Sequence, residues 1–240
     1  MNTSPPSHDE ARRTRADGAQ SRERLLLAAM RLFAEQGYAQ TSTREIALAA
    51  ATNIAAISYY FGDKAGLYRA AFSEQPTCTA AEVEAINDPY APLRSSLLAF
   101  YRMLLAPLRQ GERARLCMRL WFREMLEPTG MWVEKIDNGI KPAHAELTRM
   151  LSRHLGLATP NDDLERLAFC IVGMAVQLMV TRDVIDSISP QLLDSEAAID
   201  TWLERIADYA EAMVNAERLR LAAARPPLAP VKKTPRKKTA

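Results

Sequence analysis

The chain has 240 residues, about half of them apolar and a quarter charged, which is room for one large domain or two small ones and for a core without disulfide or metal staples. Gly is scarce at 9 residues and aromatics make up 7%, while Ala, Leu, Arg and Glu dominate, a balance that favours helix and argues against a β-sandwich, a collagen-like chain or a Gly-rich nucleotide fold. The formal charge of +2 hides an asymmetry, because residues 225–240 hold six of the 31 Lys and Arg and no acid, leaving 25 basic against 29 acidic residues in the body.

Residues 1–20 are polar and read as an unstructured arm. From Ser21 the pattern turns helical. Leu26, Ala29, Met30 and Phe33 fall at i, i+3, i+4 and i+7, one apolar stripe, and Gly37 is a natural C-terminal stop. Ser42 with Glu45 three residues on has capping-box spacing, so a second helix starts there with Ile46, Ala47 and Ala50 inward. Asn53 can cap a third helix over Ile54 to Tyr60, and Phe61-Gly62 ends it. Asp63 can cap a fourth, longer helix carrying Leu67, Ala71 and Phe72. Two short helices joined by Ala51-Thr52-Asn53 and braced by a first have the build of a helix-turn-helix.

The run Asn87-Asp88-Pro89-Tyr90-Ala91-Pro92 breaks the pattern. Beyond it lie a helix with Leu97, Leu98, Tyr101, Leu104 and Leu105 on one face and another from Leu116 to Glu127. A third brings Leu147, Met150, Leu151 and Leu155 to one side and stops at Gly156. The next, opened by Thr159-Pro160, is apolar almost throughout from Leu167 to Val180, and should be buried on several sides. The last places Ile199, Trp202, Ile206, Tyr209 and Met213 inward. Pro226-Pro227 ends regular structure, and the basic tail after it reads as a solubilising segment or as a DNA arm that releases counterions. The expected organisation is an arm (1–20), a helix-turn-helix domain (21–72), a larger helical domain (73–224) and a disordered tail (225–240), all-α throughout.

Residues 22–72 closely resemble the N-terminal domain of the TetR family of bacterial transcriptional regulators. The resemblance is carried by Leu26, Ala29, Phe33-Ala34 and Gly37-Tyr38, then by Thr41-Ser42-Thr43-Arg44-Glu45-Ile46-Ala47. It continues through Ala55-Ala56-Ile57-Ser58-Tyr59-Tyr60-Phe61-Gly62-Asp63-Lys64 and Gly66-Leu67. Further on, Arg123-Glu124-Met125-Leu126-Glu127-Pro128-Thr129, with Pro142 and Leu155-Gly156, is similar to the ligand domain of a cephalosporin- and chloramphenicol-related branch. What the resemblance implies is a ligand-responsive repressor that binds a palindromic DNA operator as a homodimer and is released by a small molecule.

An α-helix fits the major groove, and its outward side chains reach base edges. With Ile57 and Phe61 inward, Ala55, Ala56, Ser58, Tyr59 and Tyr60 of the third helix are available to DNA; by resemblance, Ser58, Tyr59 and Tyr60 lie where the family meets DNA, and Lys64 where it meets a phosphate. Thr41, Ser42, Thr43 and Arg44 lie at the start of the second helix, whose hydroxyls, amides and dipole suit a phosphate, with Arg44 the candidate reader of a guanine edge. Two departures stand out. Ala51 occupies a turn position that is commonly Gly in the family, at a cost of about 1 kcal/mol if its φ is positive. Ser58 replaces the family's usual tyrosine, and Tyr60 its usual histidine.

The second domain would hold the effector among Met103, Trp121, Phe122, Arg123, Glu124, Met125, Trp132, Met174 and Gln177, soft apolar walls with a few polar groups. Phe169, Val172, Val176, Met179, Trp202 and Ile206 on the last two helices are candidates for the two-fold interface, because a palindromic site calls for paired reading heads. No local sequence pattern points to an enzyme, a cofactor or a metal site. GxSxG, Walker A, HExxH and GxGxxG are missing, and His144 and His154 are ten residues apart, unlike a one-helix metal pair. Cys78, Cys117 and Cys170 lack CxxC spacing and read as buried thiols in a reducing compartment. With no long apolar run and a polar start, the expected setting is the bacterial cytoplasm, at the nucleoid and away from membrane. Two other readings share the sequence: non-specific DNA binding through the tail, and a helical binding protein or enzyme whose reading head is degenerate.

Overall fold

The computed structural model describes residues 8–73 and 80–224. Among them there is no strand. The helices are α1 (His8–Gln36), α2 (Thr43–Ala49), α3 (Ala55–Phe61), α4 (Lys64–Ser73), α5 (Ala80–Asn87), α6 (Leu93–Arg109), α7 (Gly111–Leu126), α8 (Met131–Lys135), α9 (Lys141–Leu155), α10 (Asp162–Val180), α11 (Arg182–Ile188) and α12 (Glu196–Ala224). A π-helical turn, Ile136–Ile140, joins α8 to α9, and a 3-10 turn, Pro190–Leu192, precedes α12.

Short-range chemistry sets the helix starts. Ser42 Oγ accepts from the Glu45 amide at 3.2 Å, and the Glu45 carboxylate accepts from the Ser42 amide at 2.8 Å, a complete capping box. The side chains of Asn53, Asp63 and Asn161 accept from Ala55, Gly66 and Leu164 at 2.9, 2.6 and 2.9 Å and open α3, α4 and α10. Gly156, at φ +67°, closes α9.

Two apolar clusters organise the helices. The first gathers Leu25, Leu26, Met30 and Phe33 of α1, Ile46 of α2, Ile57 of α3 and Leu67 of α4, together with Leu116, Cys117 and Leu120 of α7. The second joins α6, α9, α10 and α12 through residues such as Leu97, Tyr101, Leu147, Leu151, Ile171 and Leu203. A boundary at residue 73 therefore does not separate the cores, because α7 returns to pack on α1 and α4. Polar contacts bind the same seam. Arg31 meets Glu112 at 2.7 Å, Arg113 pairs with Glu23, and the Trp121 indole N–H donates to the Phe72 carbonyl at 3.4 Å.

Three expectations are corrected here. Residues 8–20 are helical and extend α1, because Glu, Ala, Arg and Gln are strong helix formers. Ile206 is 1% exposed and lies in the second core, so it is not part of an open dimer face. Cys170 is exposed on α10, whereas Cys117 is buried. The basic tail and Cys78 lie outside the described residues. Among the described residues no single helix is long and apolar enough to cross a membrane.

Candidate nucleic-acid interface

Ile46 and Ala47 hold α2 against the first core, and Ile57 holds α3. Facing outward are Ser42, Arg44 and Glu45 at the start of α2, Leu48 and Ala49 toward its end, and Ala55, Ser58 and Tyr59 from α3. Tyr59 is 81% exposed. An aromatic ring held in solvent on a short, well-anchored helix is available for contact, not for packing. Its neighbour Tyr60 meets it edge-on at 4.8 Å, with the ring planes at 78°. Tyr60 itself is half-buried, and its hydroxyl lies so close to α1 that a Cβ on Gly18 would approach it to 3.2 Å.

The α2–α3 turn has the geometry that a tight helix-turn-helix needs. Ala51 has φ +50°, the one positive φ outside glycine among the described residues. Its amide donates to the Leu48 carbonyl at 3.0 Å and the Thr52 amide donates to the Ala47 carbonyl at 2.9 Å. That pair of bonds is a Schellman closure of α2, with alanine where glycine is usual.

The start of α2 departs from the expected phosphate cradle. Thr41 is 1% exposed, and its hydroxyl donates to the carbonyls of Gly37 at 2.8 Å and Leu32 at 3.2 Å. It locks the α1–α2 connection and is removed from the outward set. The Ser42 amide is already bound by the Glu45 carboxylate, whose pKa that bond lowers. A second anion at this amide would meet a fixed negative charge. Thr43 is half-buried, which leaves Arg44 as the exposed cation of α2.

Lys64 opens α4. Its ammonium lies 4.4 Å from the centre of the Tyr38 ring, a cation–π contact. Arg22 of α1 sits 5.1 Å over the ring of Phe61 at the other end of α3. In the sequence Arg22 is one of the arginines, with Arg12, Arg13 and Arg15, that precede the first apolar pair and read as a solvated basic arm able to touch DNA.

The residues proposed for an effector pocket fall into separate environments. Met103 and Met174 pack against the second core, Trp121 and Trp132 against the first. Met125 is 44% exposed, Gln177 is exposed and Phe122 is half-buried. Arg123 and Glu124 are committed within the protein. Arg123 donates to the Glu35 and Gln36 carbonyls at 3.3 and 3.2 Å, capping the C-terminal end of α1. Glu124 is fully buried and accepts from the Tyr68 hydroxyl at 2.5 Å. Both therefore join the two halves of the chain, a role that their place in a ligand-domain motif did not reveal.

On α10, Leu164, Ala168, Ile171, Ala175 and Leu178 fill the second core. Phe169, at 65% exposure, and the half-buried Val176 and Met179 are set toward the outside, whereas the half-buried Val172 packs against the second core. Trp202 of α12 is half-buried against the core. Among the described residues no group of three His, Cys, Asp or Glu is placed to hold a metal ion.

Residues 25–71 match the family described as bacterial regulatory proteins, tetR family, and residues 93–216 match the C-terminal domain of the HTH-type transcriptional dual regulator CecR. The dual regulator CecR of Shigella flexneri is 35% identical over 179 residues, covering 70% of this chain and 79% of its own. The transcriptional regulator AcrR of Shigella flexneri is 32% identical over 120 residues, covering 48% of this chain and 54% of its own. The fold recurs in the crystal structure of HlyIIR, a hemolysin II transcriptional regulator, at a TM-score of 0.52 with 20% identity, over 74% of this chain and 97% of that one. It recurs also in NalD of Pseudomonas aeruginosa at a TM-score of 0.51 with 19% identity, over 83% and 96%.

Proposed function

The chain belongs to the TetR family of bacterial transcriptional regulators, and from that premise we propose how this molecule reads DNA and assembles. Arg44, Ala55, Ser58 and Tyr59 enter the major groove, with Arg44 and Tyr59 supplying most of the base selectivity. Lys64 meets a backbone phosphate. The observation that carries this reading is the outward row of Arg44, Ser58 and Tyr59 on two short helices that the core, the capping box and the Ala51 turn hold rigid. Rigid presentation is what a reading head needs, since loosely held side chains lose contact energy to ordering.

The same reading makes the protein a homodimer through α10 and α12. Phe169, Val176 and Met179 would be covered by the second copy, because α10 carries apolar residues on the face that its own core leaves open. A small-molecule effector would favour a dimer whose heads no longer match the groove spacing, a population shift that releases the operator.

The test is random-site selection with the full chain, followed by fluorescence anisotropy on the recovered duplex and on a scrambled one near physiological salt. Selective binding, weakened by Arg44→Ala and Tyr59→Ala by about 1–3 kcal/mol each, is the expected result. Equal affinity for both duplexes would overturn it.

A further inference from the structure

Glu124 lies on α7 and is fully buried, yet its carboxylate collects donors from two parts of the chain. On one side are the Thr129 amide at 2.7 Å and hydroxyl at 3.0 Å, in the turn between α7 and α8, and the Met131 amide at 3.1 Å, at the start of α8. On the other is the Tyr68 hydroxyl of α4 at 2.5 Å. Burial, and then the hydrogen bond to this carboxylate, push the Tyr68 phenol upward, so it remains a donor across ordinary pH.

The Tyr68 ring continues the connection. It meets Tyr38 at 4.9 Å with the planes at 65°, and Phe33 at 4.9 Å with the planes at 85°. Tyr38 in turn carries the Lys64 ammonium over its face at 4.4 Å. Glu124, Tyr68, Tyr38 and Lys64 are thus one contiguous series of contacts. It starts at the α7–α8 turn and ends at the first residue of α4.

We propose that Glu124, Tyr68 and Tyr38 are positioning residues for Lys64, so that its contact with a DNA phosphate is set from the second half of the chain. The inference rests on the DNA-binding reading above. A lysine has a flexible four-carbon stem and pays rotamer entropy for every fixed contact. An aromatic platform held by an anchored hydroxyl limits where the ammonium can go before DNA arrives. Without the anchor the Tyr68 ring repacks, Tyr38 follows, and the ammonium loses its seat.

The experiment is a double-mutant cycle on the full chain, read as affinity for the duplex recovered by random-site selection. Lys64→Gln is expected to weaken binding about tenfold in the natural sequence and to lower the slope of log affinity against log salt by about 0.9. In a Glu124→Gln or a Tyr68→Phe background the same change is expected to cost less than about threefold, because contacts in one network do not add. Tyr68→Phe keeps ring and volume, so it retains the fold even if Glu124→Gln does not. Equal losses from Lys64→Gln in all backgrounds would overturn the relay while leaving the DNA reading intact. A natural chain that prefers no duplex would overturn both.

Discussion

The Arg123 guanidinium occupies the space that a side chain at Gly37 would need, since a Cβ there would meet Arg123 Nε at 2.6 Å and Nη2 at 2.9 Å. Gly37 also has φ +83°, a conformation that suits glycine. The same guanidinium donates to the carbonyls of Glu35 and Gln36. Gly37→Ala is therefore expected to destabilise the protein by about 2–3 kcal/mol, from backbone strain plus displacement of this cap. Urea unfolding measures it; a loss of only about 1 kcal/mol, the backbone strain alone, would mean that Arg123 moves aside freely.

Ala51 predicts the opposite sign. Its φ is positive, and the backbone around it is already closed by two hydrogen bonds. Ala51→Gly relieves left-handed strain of about 1–2 kcal/mol and loses part of that gain to a more flexible unfolded chain. The expected net is about 0.5–1 kcal/mol of added stability, a rise of roughly 2–4 °C at most in Tm. An unchanged or lower Tm would refute the strain at this turn.

Thr41 and Arg44 separate structure from recognition. Thr41→Val removes a buried donor from two carbonyls and should cost about 1–2 kcal/mol in stability. Selectivity among duplexes should be unaltered. Arg44→Ala should do the reverse, because its side chain is exposed. Thermal melts and anisotropy on the same two variants decide the matter, and a change in duplex preference in Thr41→Val would return that residue to the interface.

Ile206 and Phe169 make a similar pair in the second half. Ile206→Ala empties a buried site and should cost about 2–5 kcal/mol. Phe169 is largely exposed, although its ring stacks on His144 at 4.7 Å. Phe169→Ala should leave the protomer's fold nearly unaffected and raise the dimer dissociation constant about tenfold or more. Sedimentation across a dilution series reads this directly, and an unchanged monomer–dimer balance would place the interface elsewhere.

His154 gives a pH dependence. Burial, and then the positive charges of Arg153 and Arg218, hold its pKa below the ordinary histidine value. Its Nε2 faces Arg153 Nη2 at 3.2 Å, where neutral imidazole accepts the hydrogen bond. Below the unfolded pKa of about 6.5 the unfolded state binds more protons than the folded one, so stability rises with pH through that window and is complete above it. Acidification from pH 7 toward 5 should therefore destabilise the natural chain more than His154→Gln, as measured by urea midpoints at each pH. Parallel curves would remove His154 from the account.

The helix starts of the reading head were legible because caps act within two or three residues. Ser42 with Glu45, Asn53 with Ala55 and Asp63 with Gly66 all bond locally, and the Ala51 turn is a local matter too. The sequence by itself therefore determined an all-helical chain that begins with a helix-turn-helix, together with its family. Tertiary structure alone decided that Thr41 turns inward, and that Glu124 meets Tyr68 across a separation of 56 residues. It alone returned α7 to the first core and put Ile206 inside while Phe169 stays outside. The physical reason is that periodicity reports which residues share a face, not which neighbour that face receives. On α10, apolar nearly all round, local pattern cannot choose the buried side. Nor can it choose the partner of a buried carboxylate, because the nearest donors are brought there by the packing of distant helices.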